Sequence, residues 1–245
     1  MSVIDCHVYI EGSPIPSTNQ TAKTLAELLA GRGIDQAIVI STRAARLDPL
    51  SGNTILKNLL EQTHGLYGCL ATHVRNQESS INAVRDLLGH RRFLGVLLTG
   101  DDPEEPLHPL SADEILNACR RFQKPIYLHA PNRLCVEVGL ELAKRYHMHR
   151  FVLLGMGGSD WRAAIMAAQQ TSNIFLEISG MLDLGRIPAA IEAVGSHRLL
   201  FGSGLPDLDP AAIIGLLEDS EISPSNRRRI LSENAEKLFQ LELGA

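Results

Sequence analysis

The sequence predicts a single (β/α)8 barrel that occupies residues 1–245 as one domain. Short apolar runs rich in Ile, Val and Leu alternate with longer stretches of helical period, and this alternation repeats eight times. Several runs, such as FVLLG and AIVIS, are almost continuously apolar, which is typical of parallel strands buried on both faces. No Gly/Ser-rich or Pro-rich linker divides the chain, so its length suits one barrel.

The predicted strands follow one another at intervals of roughly 22 to 33 residues, the length of one strand, one helix and their loops. They are placed at 3–10, 36–41, 66–74, 93–99, 125–130, 151–155, 173–179 and 198–203. Between them, Ser111 with Glu114 is typical of a capping box, and Asp209 and Ser223, each before a proline, of helix starts. An open doubly wound sheet is the alternative, but no GxGxxG follows the first run.

The composition is that of a soluble globular protein, with 44% hydrophobic and 21% charged residues. A net charge of −5 argues against a nucleic-acid partner. The N-terminal MSVIDCHVYI is unlike a signal peptide, and no segment approaches about 18 uninterrupted apolar residues. We therefore expect a cytoplasmic protein with no membrane partner.

Polar residues stand at the ends of several predicted strands, where a barrel of this kind carries its active site. By the alternation of a strand, the first run presents Asp5, His7 and Tyr9 on one face. The fifth run ends at His129 and the seventh presents Glu177. We expect His7, Tyr9, His129 and Glu177 to converge at the mouth of the barrel.

A second polar group follows the third and fourth runs, where His73 and Arg75 precede the pair Asp101-Asp102. With Tyr9, His73 and Arg75 are the candidate substrate-binding residues. The alternative interpretation is that these loop charges are solvated.

Seven segments, in chain order, carry a family resemblance: IDCHVYI, FLGVLL, PIYLHAP, FVLLGMGGSDW, NIFLEISG, RLLFGSGLPDLDP and ENAEKLF. They resemble the motifs IDxHxHx, GFKGVKL, PVxxHxG, IxLAHxGG, NVYxDxSG, FGSDxP and GNAxRLF of the amidohydrolase-related, metal-dependent hydrolases. That family has (β/α)8 barrels and includes aminocarboxymuconate-semialdehyde decarboxylase-like and lactonase-like members. The resemblance implies hydrolysis or decarboxylation of a small carboxylate, lactone or amide.

The resemblance carries over only part of the family's metal site. His7 matches the first His of the HxH pair, and His129 matches the His of the fifth strand. Tyr9, Gly155 and Gly204 stand where the family has its second His, its strand-six His and its strand-eight Asp. Most of the expected ligands are therefore replaced, whereas catalytic zinc needs three protein ligands and an open position for water.

Glu177 admits two interpretations. Together with His7 and His129 it could form a relocated site of two histidines and one carboxylate for zinc or manganese. Alternatively, it accepts hydrogen bonds from Tyr9 or His129 inside a polar plug, and metal is held weakly or not at all.

Two function hypotheses correspond to these interpretations. One is a metal-dependent hydrolase or decarboxylase with a rebuilt site. The other is a non-catalytic relative that uses the barrel mouth for small-molecule binding or assembly. Both expect a small-molecule ligand, and both leave a homo-oligomer open.

Overall fold

Eight strands form one parallel sheet in chain order in the computed structural model, which describes residues 2–10 and 21–241. Each strand pairs with the next one along the chain. Their bounds are β1 (Ile4–Ile10), β2 (Gln36–Ser41), β3 (Leu66–His73), β4 (Phe93–Thr99), β5 (Ile126–His129), β6 (Phe151–Leu154), β7 (Ile174–Glu177) and β8 (Leu199–Leu200). The predicted eight-stranded parallel barrel is confirmed, although most strands are shorter than the apolar runs.

The barrel closes between β1 and the segment that follows β8. The Gly204 amide donates to the carbonyl of His7 (2.9 Å), and the Tyr9 amide donates to the carbonyl of Leu205 (2.7 Å). These bonds replace a further pair of regular strands and leave no open edge between the two ends of the sheet. The alternative of an open doubly wound sheet is thereby excluded.

Helices follow the strands around the barrel. They are α1 (Ala22–Gly31), α2 (Thr42–Arg46), α3 (Pro49–Glu61), α4 (Gln77–Leu87), α5 (Asp113–Cys119), α6 (Arg133–Arg145), α7 (Trp161–Gln170), α8 (Arg186–Val194), α9 (Pro210–Asp219), α10 (Pro224–Arg228) and α11 (Asn234–Phe239). Within the described ranges, every helix falls short of the length and apolar character required to span a bilayer.

Two of the three predicted helix starts are confirmed. Asp209 and Ser223 precede α9 and α10, and each side chain accepts a backbone N–H of the first turn. The predicted capping box at Ser111 is not formed. A short 3₁₀ helix (Pro109–Ala112) precedes α5, and the Ser111 hydroxyl donates to the carbonyl of His108 instead.

Side chains alternate between the barrel interior and the layer under the helices. In β2, Ile38 and Ile40 belong to the interior cluster that includes Tyr127, whereas Ala37 and Val39 pack with the helix layer. All of these side chains are fully buried. The interior is therefore a packed core, and space for a ligand remains only beyond the strand ends.

The alternation is interrupted in β1. The pairing of β1 with β2 shifts between Asp5 and Val8, so one extra residue is accommodated there. Cys6 packs in the barrel interior and Tyr9 packs against it, while Val8 faces the helix layer. The prediction that Asp5, His7 and Tyr9 share one face is therefore wrong, because the bulge breaks the two-residue period.

Candidate active site

A cavity of about 340 Å³ opens at the C-terminal ends of the strands. Its wall includes His7 and Tyr9 from β1, Arg46 from α2, His129 from β5 and Ser179 after β7. Because these residues are distant in sequence, the barrel itself brings them together. Of the four side chains expected to converge here, His7, Tyr9 and His129 line the cavity, and Glu177 is completely buried and is not on its wall.

The first hydrogen-bonded group joins His7 to Glu177. His7 Nδ1 lies 3.1 Å from Glu177 Oε2 and 3.2 Å from Ser179 Oγ. Glu177 Oε1 accepts the Ser179 amide (2.6 Å), and Oε2 accepts the Gly155 amide (3.0 Å) and the Ser179 hydroxyl (2.8 Å). Glu177 is completely buried, and its carboxylate is held by four donors.

Space for the Glu177 carboxylate depends on a glycine after β8. A Cβ atom at Gly202 would overlap Glu177 Oε1 and would lie 2.8 Å from the Cβ atom of His7. No larger residue fits at this position while Glu177 and His7 keep their places. The glycine is therefore a condition for the His7–Glu177 contact.

The second group joins Tyr9 to His129. The Tyr9 hydroxyl lies 3.0 Å from His129 Nε2, and the two rings are stacked with centroids 6.3 Å apart. Burial, and then the charges of His7 and Arg46, lower the pKa of His129 from 6.5 to about 3. Burial also raises the pKa of Tyr9 above its usual value. Both partners are thus neutral near pH 7.

Arg46 lies at the end of α2, which directly follows β2. Its guanidinium is exposed at the cavity wall and makes no ion pair with any residue that the structure describes. It acts electrostatically on Tyr9 and His129. An unpaired guanidinium beside a concave site is suited to bind a carboxylate in two-point contact.

Asp5 supports the site from behind. Its Oδ1 accepts the amides of His7 and Ser203, both at 3.0 Å, and so ties β1 to the segment after β8. Its Oδ2 is buried without a hydrogen-bond partner among the described residues. Burial raises the pKa of the Asp5 carboxyl from 3.8 to about 6.

The predicted substrate-binding residues His73 and Arg75 are not on the cavity wall. Both instead contact Asp101, which does line the cavity. His73 Nε2 lies 3.4 Å from Asp101 Oδ1, and Arg75 Nη1 lies 2.5 Å from Asp101 Oδ2. The loop after β4 folds over β3, and the two side chains fix Asp101 rather than face the cavity.

The family comparison agrees with this architecture. The model of the amidohydrolase family matches residues 4–241, nearly the whole chain. The chain belongs to the amidohydrolase family. No curated protein sequence gives a significant match to it.

Solved structures share the fold of this amidohydrolase at low identity. A dihydroxybenzoic acid decarboxylase from Polaromonas sp. JS666, with bound manganese and 2-nitroresorcinol, is 16% identical with a TM-score of 0.80, over 99% of this chain and 98% of the other. The 5-carboxyvanillate decarboxylase of Novosphingobium aromaticivorans, complexed with manganese and a nitrobenzoic acid, is 14% identical with a TM-score of 0.79, over 98% and 96%.

A third structure is that of a probable 2-pyrone-4,6-dicarboxylic acid hydrolase from Acinetobacter baumannii with citric acid bound. It is 16% identical with a TM-score of 0.66, over 98% of this chain and all of the other. At these identities the likeness shows a common fold. Manganese is bound in the two decarboxylase structures, so a divalent metal occurs among proteins of this fold.

The arrangement of possible metal ligands at the barrel mouth does not fit a catalytic metal ion. Both Glu177 oxygens accept hydrogen bonds, and the Nε2 atom of His129 is bonded to Tyr9. In the part of the chain that the structure describes, no three His, Cys, Asp or Glu side chains are grouped to hold a metal. Three ligands are the minimum for catalytic zinc. The relocated site of His7, His129 and Glu177 is therefore not assembled.

The hydrogen-bond partners of Glu177 also differ from those in the second interpretation of its role. It was expected to accept from Tyr9 or His129, but its partners are His7, Ser179 and Gly155. The cause is the bulge in β1, which turns His7 toward β7.

Sequence reasoning missed Arg46 and Gly202. Arg46 could have been found from its place directly after the end of β2, since such loops form the mouth of a barrel. The contact of Gly202 joins residues distant in the chain, and no local signal predicts it.

Proposed function

We propose that this amidohydrolase is an enzyme that decarboxylates or hydrolyses a small carboxylate bound at the barrel mouth. The observation that carries the proposal is the Arg46 guanidinium, which makes no ion pair with any described residue and stands on the wall of a cavity that also contains His7. A concave site with few polar groups and perturbed pKa values is the usual place for catalysis in this fold.

The size and polarity of the cavity support a small ligand. Its volume of about 340 Å³ lies at the lower end of the range for ligand sites. Arg46 offers the carboxylate partner, and the neutral Tyr9–His129 pair offers a flat aromatic wall. A planar ligand with one or two carboxylates matches these groups.

The names of the structural relatives support the same class of ligand. These relatives are named for dihydroxybenzoic acid, 5-carboxyvanillate and 2-pyrone-4,6-dicarboxylic acid, and each of these compounds is a small ring carboxylate. The first two relatives are decarboxylases, which remove CO2 from the ring, whereas the third is a hydrolase. Both decarboxylation and hydrolysis must therefore be assayed.

The experiment combines binding with turnover on these three compounds and benzoate. Binding is measured by calorimetry, decarboxylation by CO2 release, and hydrolysis by loss of the pyrone absorbance. Arg46→Met should weaken carboxylate binding by about tenfold or more, because it removes a charge-assisted contact. Arg43→Met is the matched control, since Arg43 is exposed on the same helix and outside the cavity wall.

The outcomes separate the function hypotheses. Turnover in either assay supports the enzyme. Binding that depends on Arg46, without turnover, supports the non-catalytic ligand-binding alternative. Absence of carboxylate binding, or equal losses in Arg46→Met and Arg43→Met, contradicts the proposal.

A further inference from the structure

We propose that His7 is the acid–base residue of this site, that Glu177 positions it, and that the pair acts without a metal ion. The inference rests on the function proposed above and adds to it the group that moves the proton. It follows from the hydrogen bonds of Glu177, from the free nitrogen of His7 and from the misfit of the metal ligands.

The Glu177 carboxylate fixes which nitrogen of His7 carries a proton. A carboxylate is an acceptor without a proton of its own, so His7 Nδ1 must donate across the 3.1 Å contact. Glu177 cannot turn away, because two backbone amides and the Ser179 hydroxyl hold its oxygens. This arrangement selects one tautomer and one ring orientation of His7, as a carboxylate partner does in other acid–base histidines.

The other nitrogen of His7 is left available. His7 is 7% exposed, and its Nε2 is buried without a hydrogen-bond partner in the described part of the chain. His7 lines the cavity, so a ligand bound there lies against the His7 ring, while the Nε2 atom itself is covered by protein atoms. An unsatisfied buried imidazole nitrogen is costly, and such exceptions are typical of functional sites.

Two buried titratable groups next to His7 are engaged in other contacts. His129 Nε2 is paired with the Tyr9 hydroxyl. Asp5 uses one oxygen to hold backbone amides and is completely buried. His7 therefore combines a fixed tautomer with an unpartnered, buried ring nitrogen in a side chain that lines the cavity.

The proton balance is simple in either reaction. In a decarboxylation, the bond between the ring carbon and the carboxyl carbon breaks and CO2 leaves. The electron pair of the broken bond stays on the ring carbon. The imidazolium of His7 delivers its Nε2 proton to that carbon and is reprotonated from water. In a hydrolysis, Nε2 takes a proton from water while the water oxygen attacks the carbonyl carbon of the substrate. His7 then gives this proton to the leaving oxygen.

The test reads the tautomer directly, without turnover. Two-bond proton–nitrogen NMR correlations of His7, in the full-length protein, distinguish a proton on Nδ1 from one on Nε2. We expect the Nδ1–H tautomer in the wild type. In Glu177→Leu the acceptor of the Nδ1 proton is removed, so the preference for the Nδ1–H tautomer should be lost and both tautomers should appear. Glu218→Gln, on the exposed face of α9, should leave His7 unchanged.

Kinetics on any compound that is turned over in the assays above provide the second readout. We expect kcat to fall by about 100-fold in Glu177→Gln and further in His7→Asn, as for loss of acid–base catalysis. KM should stay within about threefold in Glu177→Gln, because substrate contacts remain. A fall in stability alone would not change the tautomer or separate kcat from KM.

Each outcome bears on one of the two proposals. An Nε2–H tautomer in the wild type, or a metal ion on Nε2, overturns this inference even if substrate is turned over. The expected tautomer with no turnover of any carboxylate overturns the proposed function and the catalytic role of His7. The expected tautomer, its loss in Glu177→Leu and the selective loss of kcat in Glu177→Gln together support both.

Discussion

The two hydrogen-bonded pairs at the barrel mouth lie side by side but are held in different ways. Glu177, the partner of His7, is fixed by backbone amides and a hydroxyl. The Tyr9 hydroxyl and the His129 ring bond to each other, and burial keeps both neutral. The carboxylate of the first pair is thus buried behind the cavity wall and held by the backbone, whereas the second pair forms a neutral part of that wall. The backbone amides fix the position of the Glu177 carboxylate and, through it, the orientation of the His7 ring.

The largest expected effect comes from removing the backbone-held carboxylate. Glu177→Leu leaves two amides, a hydroxyl and the His7 ring without their acceptor, and should cost about 3 to 5 kcal/mol of unfolding free energy. Urea unfolding measures this loss. Glu218→Leu, on the surface, should change the unfolding free energy by less than about 0.5 kcal/mol. A loss below about 1 kcal/mol in Glu177→Leu would show that the pairs are equivalent.

The neutral pair should be visible in the pH dependence of stability. The pKa of His129 is about 3 in the folded protein, whereas its ordinary value is 6.5. As pH falls, His129 is protonated in the unfolded chain before it is protonated in the folded protein. The contribution of neutral His129 to the free energy of unfolding is therefore complete above about pH 6.5 and is lost as pH falls toward about 3. Between pH 7 and pH 4 the wild type should lose about 3 kcal/mol more than His129→Asn.

Unfolding free energies of both proteins at the two pH values check this prediction. Asp5 has the opposite sign, since its pKa is raised, but it is present in both proteins and cancels in the comparison. Equal pH slopes for wild type and His129→Asn would mean that His129 is protonated in the folded state near pH 5.

A smaller effect tests the space around the held pair. Gly202→Ala places a Cβ atom against Glu177 and His7 and should cost about 1 to 3 kcal/mol. Gly215→Ala is the control, because its Cβ atom meets nothing within 4 Å and lies inside α9. It should be neutral or stabilise by up to about 1 kcal/mol. Similar values for the two variants would contradict the proposed crowding.

The smallest effect is expected on the neutral wall. Tyr9→Phe removes the single hydrogen bond to His129 and keeps the ring, so it should cost about 1 kcal/mol. The same urea unfolding experiment measures it. A loss as large as that of Glu177→Leu would reverse the ranking of the two pairs.

The fold could be predicted from sequence because the evidence is local. Each apolar run and each helix start, such as Asp209, is written in a few neighbouring residues. The strand ends were less certain, since the run at 198–203 contributes a strand of two residues, Leu199–Leu200. The remainder of that run closes the barrel through isolated backbone bonds, which leave no periodic signal.

Four side chains near the barrel mouth were predicted from the sequence, but their hydrogen bonds were not. His7, Tyr9, His129 and Glu177 follow from the positions of strand ends. Their pairing depends on the bulge in β1, a register change that the sequence of one strand does not show. Arg46 was missed because a charged residue in a helical stretch is normally solvated.

Elemental analysis tests the central claim, that a proton-transfer pair occupies the place of a metal centre, most directly. The protein is purified from medium supplemented with zinc and manganese and measured beside His7→Asn. Our account predicts well under one metal ion per chain, unchanged in the variant, because two imidazoles without a third ligand hold metal weakly. One tightly held ion per chain in the wild type, lost in His7→Asn, would contradict it.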